Sequence, residues 1–177
     1  MKVVFLDIDG VLEPYDADDR FYHLDDSLID TLSKKYNTDY HKYGLFTVVA
    51  AYYDWNEQAL ARLKYILDET GAKIIISSDW RNEKLPNKMP DLLKLHNLDK
   101  YWYADNIINN NPVTNPLRRA LEIKDSLERY PISEFLILDD MPGLDEYFPD
   151  NIVRTQNYIS IDDMKKGIKI LNRKLDK

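Results

Sequence analysis

Apolar residues along this chain fall into two kinds of run. Val3-Val4-Phe5-Leu6, Ile74-Ile75-Ile76 and Phe135-Leu136-Ile137-Leu138 are short and unbroken, the pattern of strands covered on both faces. Other apolar positions recur at helical spacing: Leu28, Ile29, Leu32 and Tyr36; Leu60, Leu63, Ile66 and Leu67; Leu117, Ala120, Leu121 and Leu127; Ile161, Met164, Ile168 and Leu171. Shorter signals fill the gaps. Pro86 and Pro90 punctuate a loop before a short helix with Leu92, Leu93 and Leu95. Tyr101-Trp102-Tyr103-Ala104 and Ile152-Val153 read as short strands, and Asn106 to Asn115 as a loop. Leu45 to Tyr53 is apolar and aromatic with neither period, so it is assignable to neither helix nor strand.

The helix boundaries carry their own signals. Asp25 or Asp26 can cap the first helix, and Asp54 with Glu57 three residues on forms a capping-box-like start for the second. Gly71 fits its C-terminal stop. Pro116 follows Asn115 at a first helical position, Pro131 closes that helix, and Ser160 or Asp162 caps the last one. Buried strands alternating with helices predict an α/β fold with a parallel sheet and helices on both faces. Residues 1–177 are expected to form one domain, with 13–53, rich in Asp and Tyr, as an insertion over the site.

Composition bounds the chemistry. The chain has 177 residues, 44% of them hydrophobic and 31% charged, enough apolar material for a real core. There is no cysteine, which removes disulfides, thiolate metal sites and cysteine nucleophiles. The formal net charge of −7 disfavours grip on long nucleic acid, which needs a basic footprint. A small anionic substrate stays open, because a bound cation can dominate a local field. With no leader-like N-terminus and no run long enough to span a membrane, a cytoplasmic location is expected.

Three apolar runs end directly in polar residues: Asp7 and Asp9, Ser77 and Ser78, Asp139 and Asp140. In an open parallel sheet, ligands bind outside the carboxyl ends of the strands. Up to four carboxylates would gather there, and like charges repel unless a cation neutralises them. With no cysteine, and no histidine near these ends, a hard oxygen-liganded ion such as Mg²⁺ is favoured over zinc. A carboxylate beside Mg²⁺ can attack a phosphoryl group, while a second one two residues on serves as acid and base.

Asp7-Ile8-Asp9-Gly10-Val11-Leu12 after an apolar strand resembles the first motif of the haloacid dehalogenase (HAD) superfamily in its phosphatase form. Ile75-Ile76-Ser77 resembles the second motif and Leu136-Ile137-Leu138-Asp139-Asp140 the acidic fourth. Ser77-Ser78-Asp79-Trp80-Arg81 is similar to small HAD domains that occur in RNA-repair proteins. The resemblance implies a three-layer α/β/α Rossmann-like fold, with 13–53 at the place of the first cap insertion as a small cap or flap. It implies Asp7 as nucleophile and metal ligand, and Asp9 as general acid/base that also offers the metal its backbone carbonyl. It implies Ser77 on the phosphoryl oxygens and Asp140, with Asp139, on Mg²⁺. For the third motif, a cation before the last acidic strand, Arg119 is the first choice and Arg118 and Lys124 are alternatives, since a helix turns about 100° per residue.

Other residues are read more plainly. Ser78 and Asp145 fit structural roles, and Arg81 fits either a salt bridge or a phosphate contact. Trp80 fits loop packing. Tyr15, Tyr22, Tyr36, Tyr40, Tyr43, Tyr52 and Tyr53 fit local packing better than base stacking, and His23, His41 and His96 lack metal-ligand spacing. The expected function is a Mg²⁺-dependent phosphomonoester hydrolase acting on a small phosphorylated substrate, such as a nucleotide. The alternatives are a nucleotide or nucleic-acid end phosphatase and a non-catalytic HAD-like binding domain.

Overall fold

The computed structural model describes residues 1–106 and 116–173. The expected loop up to Asn115 falls almost wholly outside the described residues, and Pro116 stands at the first helical position as expected. Strand β1 (Lys2–Leu6) pairs in parallel with β2 (Lys73–Ile76) on one side and β4 (Glu134–Asp139) on the other. β3 (Trp102–Asp105) extends the sheet beyond β2, and β5 (Ile152–Arg154) extends it beyond β4. The order is β3-β2-β1-β4-β5, every pairing parallel.

Side chains alternate across a strand, and here they divide into two cores. Val4, Leu6, Ile74, Ile76, Leu136 and Leu138 enter one cluster; Val3, Phe5, Ile75 and Ile137 enter the other. Helices α3 (Glu57–Thr70) and α6 (Ile161–Leu171) cover the first face, with Leu63, Ile66, Ile170 and Leu171 buried there. Helix α5 (Pro116–Arg129) covers the second through Ala120 and Ile123. This is the three-layer, Rossmann-like α/β architecture expected of the alternating pattern. α6 lies so near β4 that a Cβ on Gly167 would come 2.8 Å from Leu136 Cδ2. Among the described residues, no helix is long and apolar enough to cross a membrane.

The segment 13–53 holds α1 (Asp26–Tyr36) and α2 (Leu45–Tyr53). Asp25 caps α1 by accepting from Ser27 N, and Asn37 ends it in the left-handed region at φ 49°. The unassigned run 45–53 is a helix. Val48, Val49, Ala50 and Ala51 are all buried, so there is no polar face to mark a period. Ile29, Leu32, Tyr40, Tyr43 and Val48 belong to the same cluster as Leu6 and Ile76. Polar bonds fasten the segment to α4 (Lys88–Lys94) and the turn after it: Tyr40 Oη donates to Asp91 O at 2.9 Å and Tyr36 Oη to Leu95 O at 3.0 Å.

Three local expectations are corrected. Asn56, not Asp54, caps α3: its side chain accepts from Gln58 N and Ala59 N at 3.0 Å each. The Asp54 carboxylate instead accepts from Arg20 N at 2.9 Å and from Arg20 Nε. Pro90 lies inside α4 rather than before it, in the first turn, where a missing N–H costs no helix bond. Leu117 and Leu121 are 44% and 47% exposed, whereas Arg119 and Glu122 are buried. The inward face of α5 is partly charged because it faces the carboxyl ends of the strands.

His96 packs against Trp55 at 5.4 Å between ring centroids, with Nε2 2.7 Å from Ala51 O. Burial lowers its basicity from the ordinary value. Below about pH 6.5 the unfolded chain therefore binds the proton more readily, and His96's contribution to stability fades as pH falls. His96→Phe keeps the ring and loses the hydrogen bond, so it should cost about 1 kcal/mol near pH 7.5. Urea midpoints should show that gap narrowing toward about pH 5.5; a constant gap would refute the assignment.

Candidate active site

The turn after β1 is drawn tight by its backbone. The amides of Val11, Leu12 and Glu13 reach Ile8 O at 3.1, 2.8 and 3.0 Å. Val11 and Leu12 are fully buried, anchoring the loop in the first core. Gly10 takes φ +69°, and a Cβ there would meet Tyr15 Oη at 2.7 Å and Asp140 Oδ2 at 2.8 Å. Its carbonyl accepts from Thr155 Oγ1 at 2.6 Å.

Parallel register then brings the strand ends together. Asp7 N donates to Leu138 O at 3.0 Å and Ser77 N to Leu6 O at 2.9 Å. Asp7, Asp139 and Asp140 each offer a carboxylate oxygen within 4.8 Å of the others. Asp7 Oδ1 accepts from Ile8 N at 2.8 Å, and its Oδ2 lies 3.1 Å from Arg119 Nη1. The same nitrogen donates to Asp139 Oδ2 at 2.7 Å, and Met141 N donates to Asp139 Oδ1 at 2.9 Å. Burial, then the Asp7 charge, pushes the Asp139 carboxyl up. For Arg119, burial opposes the charged form, but Asp7 and Asp139 outweigh it and raise its pKa. Asp140 is half-buried and accepts from Tyr15 Oη.

Asp9 stands apart from the triad. Its side chain is solvent-accessible but set within a cleft, and Trp80 Nε1 donates to both of its oxygens at 3.2 Å. Its pKa is raised, chiefly because the surrounding cleft desolvates it, with Asp7 and Asp140 adding and Trp80 opposing. Ser77 is fully buried, and its Oγ has no protein partner among the described residues. Ser78 Oγ accepts from Trp80 N at 3.3 Å, fixing the turn that carries the indole.

The three candidate cations separate cleanly. Arg119 reaches the carboxylates. Arg118 Nε lies 3.8 Å from Glu122 Oε1. Lys124 is exposed over the Tyr147 ring, its ammonium 5.9 Å from the centroid, and the structure does not bring it to the site. Arg81 is buried and donates from Nη2 to Glu122 Oε2 at 2.9 Å. Asp79 bridges the two buried arginines loosely, at 3.9 Å from each. The result is a row of alternating charges running from Asp139 through Arg119, Asp79 and Arg81 to Glu122. The histidines are engaged elsewhere: His23 stacks on Tyr53 and His41 contacts Asp30.

Sequence reasoning missed Tyr15, Trp80 and Glu122 as parts of this edge. Glu122 carried a faint signal, being charged between Ala120 and Ile123 on an otherwise apolar face. Trp80 immediately follows the second motif. Tyr15 carried none, as one of many tyrosines in its segment.

A family model described as the HAD domain in Swiss Army Knife RNA repair proteins matches residues 3–166. The chain belongs to this HAD family. Comparison with curated proteins and with solved structures gives no match. The matched range runs from β1 into α6, so it takes in the HAD-type strand ends and the 13–53 segment together. Membership carries HAD-type hydrolase chemistry as the coarse assignment.

Gly10→Ala and Gly71→Ala probe the packing of this edge. Both glycines have positive φ, +69° and +68°, but nothing lies within 4 Å of a Cβ on Gly71. Gly71→Ala should cost about 1 kcal/mol from backbone strain. Gly10→Ala should cost about 2 kcal/mol more, because Tyr15 and Asp140 must move. Equal midpoint shifts in denaturant would contradict the close approach.

Proposed function

We propose that this protein is a Mg²⁺-dependent phosphomonoester hydrolase that forms an aspartyl-phosphate on Asp7. The observation that carries the proposal is the convergence of Asp7, Asp139 and Asp140 beside Arg119 and the unpartnered Ser77 hydroxyl. One guanidinium against three clustered carboxylates leaves excess negative charge. An all-oxygen donor set of this kind fits a hard divalent ion. Asp7, Asp139 and Asp140, with the Asp9 backbone carbonyl, would hold it. Bound there, Mg²⁺ would shield the approaching anions from one another and polarise the phosphoryl oxygens.

The chain's own groups supply the rest. An Asp7 oxygen attacks phosphorus, and the bond from phosphorus to the leaving oxygen breaks. Asp9, whose carboxyl is held above its ordinary range by desolvation, gives a proton to that oxygen. Ser77 Oγ donates to a transferring oxygen, and Arg119 holds the Asp7 carboxylate in place while balancing charge. Asp9, now a carboxylate, takes a proton from water as the water attacks phosphorus. The Asp7–phosphorus bond breaks, inorganic phosphate leaves, and both aspartates return to their starting states.

A nucleotide or nucleic-acid end as substrate is a second reading, and the RNA-repair description of the family supports it. The net charge of −7 weighs against grip along a polymer, and it is neutral about an end.

Asp7→Asn should reduce aryl-phosphate hydrolysis to background, and EDTA should do the same to the wild type until Mg²⁺ is restored. Equal activity in all arms would refute the proposal. Asp9→Asn should slow turnover by about 10²–10⁴-fold while Mg²⁺ binding, followed by calorimetry, persists.

A further inference from the structure

Beside Asp9, two adjoining cavities open under the 13–53 segment. One, of about 310 Å³, is lined by Phe46, Trp80 and Lys88 and by the carboxylate residues Asp9, Glu13 and Asp79, among others, so Lys88 is the cation there not already committed to a carboxylate among the described residues. The other, of about 300 Å³, shares Asp9 and Phe46 and adds Tyr15 and Phe21. Asp9 is where the leaving group departs in the proposed reaction, so whatever the substrate carries beyond its scissile phosphate lies in these cavities.

Their lining is unusual in two respects. Tyr15, Phe21 and Phe46 are 62%, 60% and 50% exposed, although large aromatic side chains ordinarily bury most of their area. Exposed aromatics beside a polar reaction centre suit a flat, π-faced group. The second feature is charge. Arg20 is spent on Glu13 and Asp54. Lys88 is half-buried, its ammonium 5.6 Å from the centroid of the Trp80 ring, and among the described residues no carboxylate lies within salt-bridge distance of it. Burial lowers its basicity. A desolvated ammonium without a counter-ion is costly, and an anionic ligand would relieve that cost.

We propose that these cavities seat a nucleoside leaving group carrying a second phosphate, with the base against Phe46 and Phe21 and the second phosphate on Lys88. The favoured substrate class is then a nucleoside bisphosphate or the phosphorylated end of an oligonucleotide, rather than a mononucleotide or a sugar phosphate. The proposal rests on the phosphatase reading of the same site.

Two readouts separate the proposal from that reading. In steady-state kinetics, kcat/KM for adenosine 3′,5′-bisphosphate should exceed that for adenosine 3′-phosphate by about tenfold, carried by KM, the worth of one charge-assisted contact. Lys88→Met should bring the ratio near one, and Lys88→Arg should keep it, which guards against a folding defect. Phe46→Leu should lower preference for adenosine 3′-phosphate over ribose 5-phosphate by about tenfold. Binding of the same ligands to Asp7→Asn, followed by tryptophan fluorescence, should repeat the affinity order without turnover. Loss of turnover on every ester with the binding order intact would refute the phosphatase reading alone. Equal affinity for the two adenosine phosphates, or an advantage that survives Lys88→Met, would overturn the pocket assignment.

Discussion

Everything at the working edge depends on forcing negative charges together. Parallel pairing of β1 with β4 puts Asp7 and Asp139 at adjacent strand ends, and no rotamer choice can separate residues fixed by sheet register. Arg119 is the protein's own answer. One buried guanidinium nitrogen lies 3.1 Å from Asp7 and 2.7 Å from Asp139, close enough to offset part of their mutual repulsion. That cation must in turn be held, and the row through Asp79, Arg81 and Glu122 continues the alternation of sign into α5. A buried charge that loses its partner is far costlier than the pair is beneficial, so the row is coherent only as a whole.

This constraint explains why parts of the molecule were legible from sequence and others were not. The central strands were readable because burial on both faces produces unbroken apolar runs. Asp7, Ser77 and Asp139 were readable because each follows such a run directly. α2 was not, because its less buried positions are mostly apolar or aromatic too, so no polar face marks a period. α5 was read only in part: Ala120 and Leu127 pack on the core as expected, but Leu117 and Leu121 are exposed, and the inward side also carries Arg119 and Glu122 for the charges it must meet. Arg119 could not be separated from Arg118 by spacing alone, since adjacent helical residues differ by about 100°; only burial decides between them.

The 13–53 segment does two jobs with one set of aromatic residues. Tyr36, Tyr40 and Tyr43 face inward and bond to the backbone at Leu95 and to Asp91. Tyr15, Phe21 and Phe46 stay exposed beside Asp9. A tyrosine-rich composition therefore could not be divided into buried and exposed aromatics until the chain path was known. The segment shares the main core with the sheet, which keeps the wall of exposed rings in register with the turn that carries Asp7 and Asp9.

An acidic protein and a polyanionic substrate need not be at odds. Non-specific grip on a polymer requires many cations along a track, and a net charge of −7 works against that. Processing an end requires only that the terminal phosphate and its neighbour meet positive charge locally. In the proposed reaction Arg119, beside Asp7, serves the first position, and Lys88, half-buried and without a carboxylate in salt-bridge reach among the described residues, lines the adjoining cavity. Negative charge elsewhere would then favour release of the rest of the chain, so that a tightly defined end is recognised while the polymer behind it is not retained.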